Sequence, residues 1–346
     1  MAQKQLRITN YELRMKGRDE STSADKTRPS NLTYIHEWTH RNFLKRAESV
    51  PDRRCRMVLA PAEDPPFLRA ITLAYRAGFV EPILVGNLEN IREIADKEEI
   101  SDIKDWQTFH EPDSLTAVAK AADLIKQGHA DTLMRGRILV YDFFKVLLHS
   151  EQGLRKNRQF WSQAAVLQIP DFPRLLIISD CGLNVTPGVD ELVRIVENAI
   201  SLANDLGIST PRVALLAAVE AVYLKMPVLV QESIVTHFSK RGGIKNAIVD
   251  GPLSLDLAIS QEAAAKKKMT GEVAGIADIL IVNNIYVGNS LYKSLVTLGG
   301  AECASVVIGG EAPIVLPSRS ESPQNVLHSL ALAAGLWAQK ELRIMN

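Results

Sequence analysis

Hydrophobic residues along this chain fall into short runs separated by stretches of helical period. Cys55-Arg56-Met57-Val58-Leu59-Ala60 predicts a buried strand, and Pro66 to Ala77 a helix with Phe67, Ile71 and Ala74 on one face. Pro82-Ile83-Leu84-Val85 predicts the next strand, closed by Gly86-Asn87. Helical patterns recur over Leu88–Lys97, Asp113–Gln127, Asp190–Leu206, Leu229–Ser239 and Leu255–Lys267. Further strands are expected at Ala130–Met134, Ala165–Ile169, Leu175–Ser179, Val213–Ala217, Ala247–Val249, Ile279–Val282 and Ser305–Ile308. Short apolar strands between amphipathic helices predict an α/β protein with a mostly parallel sheet covered on both faces. In such folds ligands gather at the carboxyl ends of strands. Residues 1–35 are polar and mixed in charge and read as a flexible extension, with a helix expected through Tyr34, Trp38, Phe43 and Leu44.

Near the end of the chain an apolar, strand-like run, Ala312–Pro317, gives way to Ser318-Arg319-Ser320-Glu321-Ser322 at the mouth of a C-terminal helix. A hydroxyl and a guanidinium are delivered side by side there. Unpaired N–H groups at the helix start add a partial positive charge. That combination suits a phosphate or a developing oxyanion. The plainer reading is a solvated loop with a serine cap.

Charge narrows the function classes. Forty basic and forty acidic residues leave a formal net charge of zero, which argues against a dominant nucleic-acid or membrane role. Three widely spaced cysteines, Cys55, Cys181 and Cys303, suit a reducing compartment, and the N-terminus lacks the apolar core of a secretion signal. A cytoplasmic location is therefore expected.

The short motifs are weak one by one. His36-Glu37-Trp38-Thr39-His40 matches the zinc-protease pattern, but only a polar stretch precedes it, and it reads as coincidence. Neither a GxGxxG nor a phosphate-loop fingerprint occurs, and the Gly-Gly pairs at 242–243, 299–300 and 309–310 read as turns. Ser179-Asp180-Cys181-Gly182-Leu183-Asn184 follows an apolar strand, Val249-Asp250-Gly251-Pro252 follows another, and Val287-Gly288-Asn289 with Tyr292-Lys293 reads as a third polar turn. Several polar strand ends in one α/β chain predict one cleft.

In order, PILVG (82–86), ADTLMRG (130–136), GLR (153–155), SDCGLN (179–184), VDGPLSLDLAIS (249–260), VAGIADILIV (273–282), GNSLYK (288–293) and SRSES (318–322) resemble the phosphate acetyl/butyryltransferase family over about residues 40 to 340. The resemblance implies two doubly wound α/β domains around a cleft, a fold shared with the isocitrate and isopropylmalate dehydrogenases. Residues 36–165 and 305–346 would form the first domain and 166–304 the second. It implies transfer of an acyl group between coenzyme A and inorganic phosphate, no metal or redox cofactor, and a homodimer or larger homo-oligomer. Carried over by position, Ser318 would donate to the carbonyl oxygen, Arg319 would hold phosphate, and Cys181 would line the pocket. Lys145, Arg155, Asp180, Asn184, Lys225, Asp250, Asn289 and Glu321 are the further candidates for substrate or CoA-phosphate contacts.

The chain also departs from the family pattern. Where members read His-Thr after Met-Lys-Gly, Met134-Arg135-Gly136 leads into Ile138-Leu139-Val140, and a nearby arginine is replaced by Lys145. The Asn-Pro-Lys-Met loop is Tyr223-Leu224-Lys225-Met226. An aspartate seven residues after the serine, the expected thiol base of the acetyl branch, is Asn325, and an amide cannot accept that proton. Glu321 is the nearby carboxylate. These changes predict a more apolar pocket suited to butyryl-like or branched acyl groups. They also leave two alternatives: a weak or inactive member that binds CoA or an acyl phosphate, and a dehydrogenase on the same fold, for which Tyr223-Leu224-Lys225 is a faint hint.

Overall fold

A computed structural model describes residues 54–149, 153–154, 156, 159–318 and 320–345. The N-terminal extension, the His36–His40 motif, the helix expected through Tyr34–Leu44, Arg155 and Arg319 lie outside the described residues.

From Cys55 the chain runs through β1 (Cys55–Ala60), α1 (Pro65–Arg76), β2 (Val80–Gly86), α2 (Leu88–Lys97), a 3-10 turn (Ser101–Asp105), β3 (Gln107–His110), α3 (Ser114–Lys126), β4 (Thr132–Arg135) and α4 (Val140–Leu147). It continues through β5 (Ser162–Gln168), β6 (Leu176–Ser179), α5 (Val189–Asp205), β7 (Arg212–Leu216), α6 (Pro227–Lys240), β8 (Ile248–Leu253), α7 (Leu255–Ile259), α8 (Gln261–Lys266) and β9 (Ile279–Ile281). It ends with α9 (Ile285–Thr297), β10 (Glu302–Ile308), β11 (Ile314–Val315) and α10 (Pro323–Met345).

All the described strands join one sheet, in the order β3-β2-β1-β4-β11-β10-β5-β6-β9-β7-β8. The wing from β3 to β11 is parallel, and so is the wing from β6 to β8. Between them three antiparallel steps, β11/β10, β10/β5 and β5/β6, reverse the direction. The two wings therefore run opposite to one another, and the carboxyl ends of β4 and β6 point in opposite directions.

Side-chain alternation explains why both faces need cover. In β1, Val58 and Ala60 join a buried cluster with Ala117, Ala121 and Phe143 from α3 and α4. Met57 and Leu59 are buried on the opposite face, where α1 and α10 pack. In the other wing Ile178, Ala214 and Leu280 pack with Leu257, Ala258 and Leu295. Ile177, Val213 and Ile279 are buried on the reverse side, on which α5 lies. Asp64, Asn87 and Asp113 start α1, α2 and α3 by accepting hydrogen bonds from first-turn N–H groups.

Several elements differ from the sequence pattern. The stretch 255–267 is two short helices, because Ser260 leaves helical geometry and caps the second by accepting from the Ala263 N–H. β3 is a polar edge strand without an apolar run. α4 occupies a stretch where no helix is expected, and the turn expected at Val287–Asn289 is the body of α9. Among the described residues no helix is long and apolar enough to cross a membrane.

Candidate active site

The turn after β6 is built by Asp180, which is 2% exposed. Its Oδ1 accepts from the N–H groups of Gly182 (2.8 Å) and Leu183 (2.9 Å), and its Oδ2 from Asn184 N (3.2 Å) and from the Asn184 amide. Burial pushes the Asp180 carboxyl above its ordinary range, and these bonds oppose the rise. The Asn184 amide also donates to the Trp161 carbonyl at 2.9 Å. Asp180 and Asn184 thus shape the turn from within, and the turn presents Cys181 and Gly182. Cys181 is a free, buried cysteine. Burial, then the neighbouring Asp180 charge, push its thiol well above the usual value, so it keeps its proton.

Against this turn lies α9. Asn284 caps it, accepting from Val287 N at 2.9 Å. A Cβ on Gly288 would sit 2.4 Å from the Asp180 carbonyl oxygen and 3.0 Å from Cys181 Cα, so only glycine allows the helix this close. The next residue, Asn289, donates to the Cys181 carbonyl at 3.3 Å. Tyr292 and Lys293 follow three and four positions later, on the same helix face.

The segment after β11 closes the opposite side. The Ser318 N–H donates to Glu321 Oε2 (2.9 Å), and the Glu321 N–H donates to the Ser318 carbonyl (3.1 Å). Glu321 Oε1 accepts from the Tyr292 hydroxyl at 2.8 Å and from the Cys303 thiol at 3.2 Å. Burial, then the Glu321 charge, push both groups far up, so both stay protonated and act as donors. Asn325 is buried away from the cavity, and its Oδ1 accepts from Cys303 N at 3.1 Å.

Arg135, at the end of β4, is 4% exposed. Its guanidinium donates to the carbonyls of Ile138 and Pro317 and so ties the two loops together. Gln163 on β5 reaches the Ser305 hydroxyl at 2.7 Å.

These groups enclose a cavity of about 370 Å³. Its polar lining is Arg135, Gln163, Cys181, Asn289, Tyr292, Lys293, Ser318 and Glu321, and its apolar side is Ile138, Leu139, Val140, Leu316 and Pro317. Of the residues singled out in the sequence, Ser318, Cys181, Asn289 and Glu321 come together here. Asp180 and Asn184 support the cavity without lining it. Lys145 is exposed on α4 and Lys225 is exposed between β7 and α6, both outside the cavity lining. Asp250 on β8 also lies outside it and pairs with Lys240 at 3.3 Å. Sequence reasoning passed over Arg135 and Gln163 as site groups, although Arg135 ends an apolar strand in the ADTLMRG run. It read Tyr292-Lys293 as part of a turn, whereas their spacing from Asn289 was the signal for a shared helix face. Among the described residues no group of three or more His, Cys, Asp or Glu side chains could hold a metal ion.

Residues 101–334 match the family described as phosphate acetyl/butaryl transferase. The chain is 38% identical over 293 residues to a phosphate acetyltransferase of Thermotoga maritima, covering 84% of this chain and 99% of that protein. It is 39% identical over 279 residues to a phosphate butyryltransferase of Clostridium acetobutylicum, covering 81% and 92%. A crystal structure of a branched-chain phosphotransacylase from Enterococcus faecalis superposes with a TM-score of 0.71 at 34% identity, over 82% of this chain and 99% of that one. The family match spans every element that lines the cavity, and the chain belongs to the phosphate acetyl/butyryltransferase family.

Proposed function

We propose that this protein is a phosphate acyltransferase catalysing acyl-CoA + phosphate ⇌ acyl phosphate + CoA, with butyryl-like or branched acyl groups preferred over acetyl. One observation carries the reading: a single cavity combines a hydroxyl, cationic groups and an apolar wall. Direct transfer needs the thioester carbonyl and a dianion held in contact. Ser318 supplies a donor to the carbonyl oxygen as charge develops there. Lys293 and Arg135 supply positive charge for the phosphate, and Arg319 is assigned the same role by family position. Cys181 serves as wall, since a thiol that keeps its proton is a poor nucleophile.

Ile138, Leu139 and Val140 favour an acyl group longer than acetyl, because each buried methylene contributes about 0.8 kcal/mol. Relatives of similar identity are named as acetyl-, butyryl- and branched-chain transferases, so the preference rests on the pocket wall alone. The two-domain division, 36–165 with 305–346 against 166–304, fits walls drawn from both groups of residues. We also propose a cytoplasmic homodimer or larger homo-oligomer that needs neither metal nor redox cofactor.

The test is thiol release from acetyl-, butyryl- and isobutyryl-CoA in the presence of phosphate. Butyryl- or isobutyryl-CoA should turn over fastest. A fastest rate with acetyl-CoA removes the chain-length preference and leaves the transferase. A second reading, a binding protein with negligible turnover, is favoured by Asn325, a buried amide at the position where the acetyl branch is expected to carry a carboxylate. Calorimetric CoA binding without thiol release from any acyl-CoA would select it.

A further inference from the structure

We propose that Glu321 carries the proton between the two substrates, and that Tyr292 and Cys303 are the positioning residues that hold it in place. The inference rests on the transferase reading above and deepens it.

The reaction itself demands such a group. When acyl phosphate reacts with CoA, the thiol loses its proton to the Glu321 carboxylate. The sulfur then attacks the carbonyl carbon, the C–S bond forms, and the bond from carbon to the phosphate oxygen breaks. Its electron pair leaves on that oxygen, which takes the proton back from Glu321 and departs as hydrogen phosphate. The carboxylate is regenerated. In the other direction each transfer reverses, and Glu321 takes the phosphate proton and returns it to sulfur. Without a carrier the step would produce either a free thiolate or a phosphate trianion, both unfavourable near neutral pH.

Glu321 has the surroundings for this role. Among the described residues lining the cavity it is the one carboxylate, and no histidine lines it. An ionised carboxylate has about four acceptor positions. Among the described residues three donors fill three of them, the Ser318 N–H, the Tyr292 hydroxyl and the Cys303 thiol. These described contacts leave a fourth position on the cavity-lining carboxylate for a substrate proton. The three donors come from the loop after β11, from α9 and from β10, so the carboxylate is fixed from three directions. Asn325 does not compete for the role, because its oxygen is engaged by the Cys303 N–H.

The experiment follows acyl phosphate plus CoA from pH 5.5 to 9.5 for wild type, Glu321→Gln, Glu321→Asp and Tyr292→Phe, with circular dichroism as the check on folding. Near pH 7 Glu321→Gln should lose about 10²–10⁴-fold in kcat, the usual contribution of a general acid–base group. Its KM for CoA should stay within a few-fold of wild type. The deficit should shrink as the free thiol ionises toward pH 8–9, by less than tenfold per pH unit because the departing phosphate still lacks its proton donor. Glu321→Asp should keep the wild-type pH profile at reduced rate. A Gln variant as fast as wild type, or one equally slow at every pH, overturns the proton role. An inactive wild type takes down the transferase reading as well. An active wild type with an undamaged or pH-independent variant takes down this inference alone.

Discussion

The Tyr292 hydroxyl donates a 2.8 Å hydrogen bond to the Glu321 carboxylate, joining α9 to the loop that carries Ser318. A hydrogen bond to a charged group contributes about 1.5–3 kcal/mol. Tyr292→Phe keeps the ring and loses this donor, so it should lower kcat by roughly tenfold and thermal stability by a few degrees. Steady-state kinetics and a thermal melt check both. An unchanged kcat would mean that the hydroxyl does not help to place the carboxylate.

Lys293 lies on the same helix face and is exposed at the cavity edge, where it can meet an incoming anion. Lys293→Ala should raise the KM for phosphate about tenfold, equivalent to about 1.4 kcal/mol, with a smaller change in kcat. The loss should narrow at high salt, because exposed charge interactions are screened. A purely kcat effect would place Lys293 outside phosphate binding.

Gly288→Ala tests the approach of α9 to the Asp180–Cys181 turn. The new methyl would meet the Asp180 carbonyl oxygen at 2.4 Å and Val282 at 2.8 Å. Forced overpacking of this kind costs typically about 1–3 kcal/mol. Urea unfolding should register that loss, and activity should fall with it because Asn289, Tyr292 and Lys293 move together. A variant of wild-type stability would show that the helix has room to retreat.

Glu232 on α6 gives a pH signature unrelated to catalysis. It is 1% exposed, accepts from the Asn283 amide at 3.2 Å, and burial pushes its carboxyl up to about 8. Below the ordinary value of 4.5 the group is neutral in both folded and unfolded chains. Between there and about 8 the unfolded chain releases the proton while the folded chain keeps it, so stability falls as pH rises. The limiting slope is about 1.4 kcal/mol per pH unit, and the loss levels off above the folded value. Glu232→Gln is neutral throughout. Its stability relative to wild type should therefore improve from pH 5 to pH 8.5 in urea titrations. A constant difference would mean that Glu232 is ionised in the folded protein.

Much of the scaffold could be read from periodicity. β1 and α2 coincide with their apolar patterns residue for residue, because burial on both faces and a capped amphipathic helix leave strong local signals. α9 escaped because Gly288, Asn289 and Ser290 are poor helix formers, and tertiary contact with the 180–182 turn decides their conformation. α4 escaped because Leu139 gives it no side-chain cap. The cavity was legible where the chain order of motifs marked it, since Cys181, Asn289, Ser318 and Glu321 all line it. Arg135 and Lys293 depended on strand direction and helix phase, which a linear reading cannot supply. Lys145, Lys225 and Asp250 looked equally suitable by residue type, yet they stand outside the cavity lining.

The position of β11 has a consequence for how the chain is made. This two-residue strand sits mid-sheet, between β4 and β10, although it follows nearly every other element in the chain. While the ribosome is still producing the second wing, β4 has only β1 beside it and its other edge is bare. Bare edges of this kind recruit other chains. The nascent protein must carry that exposed strand until residues 302–315 emerge, so crowded, fast expression should divert material into inclusion bodies, and slower translation should recover it.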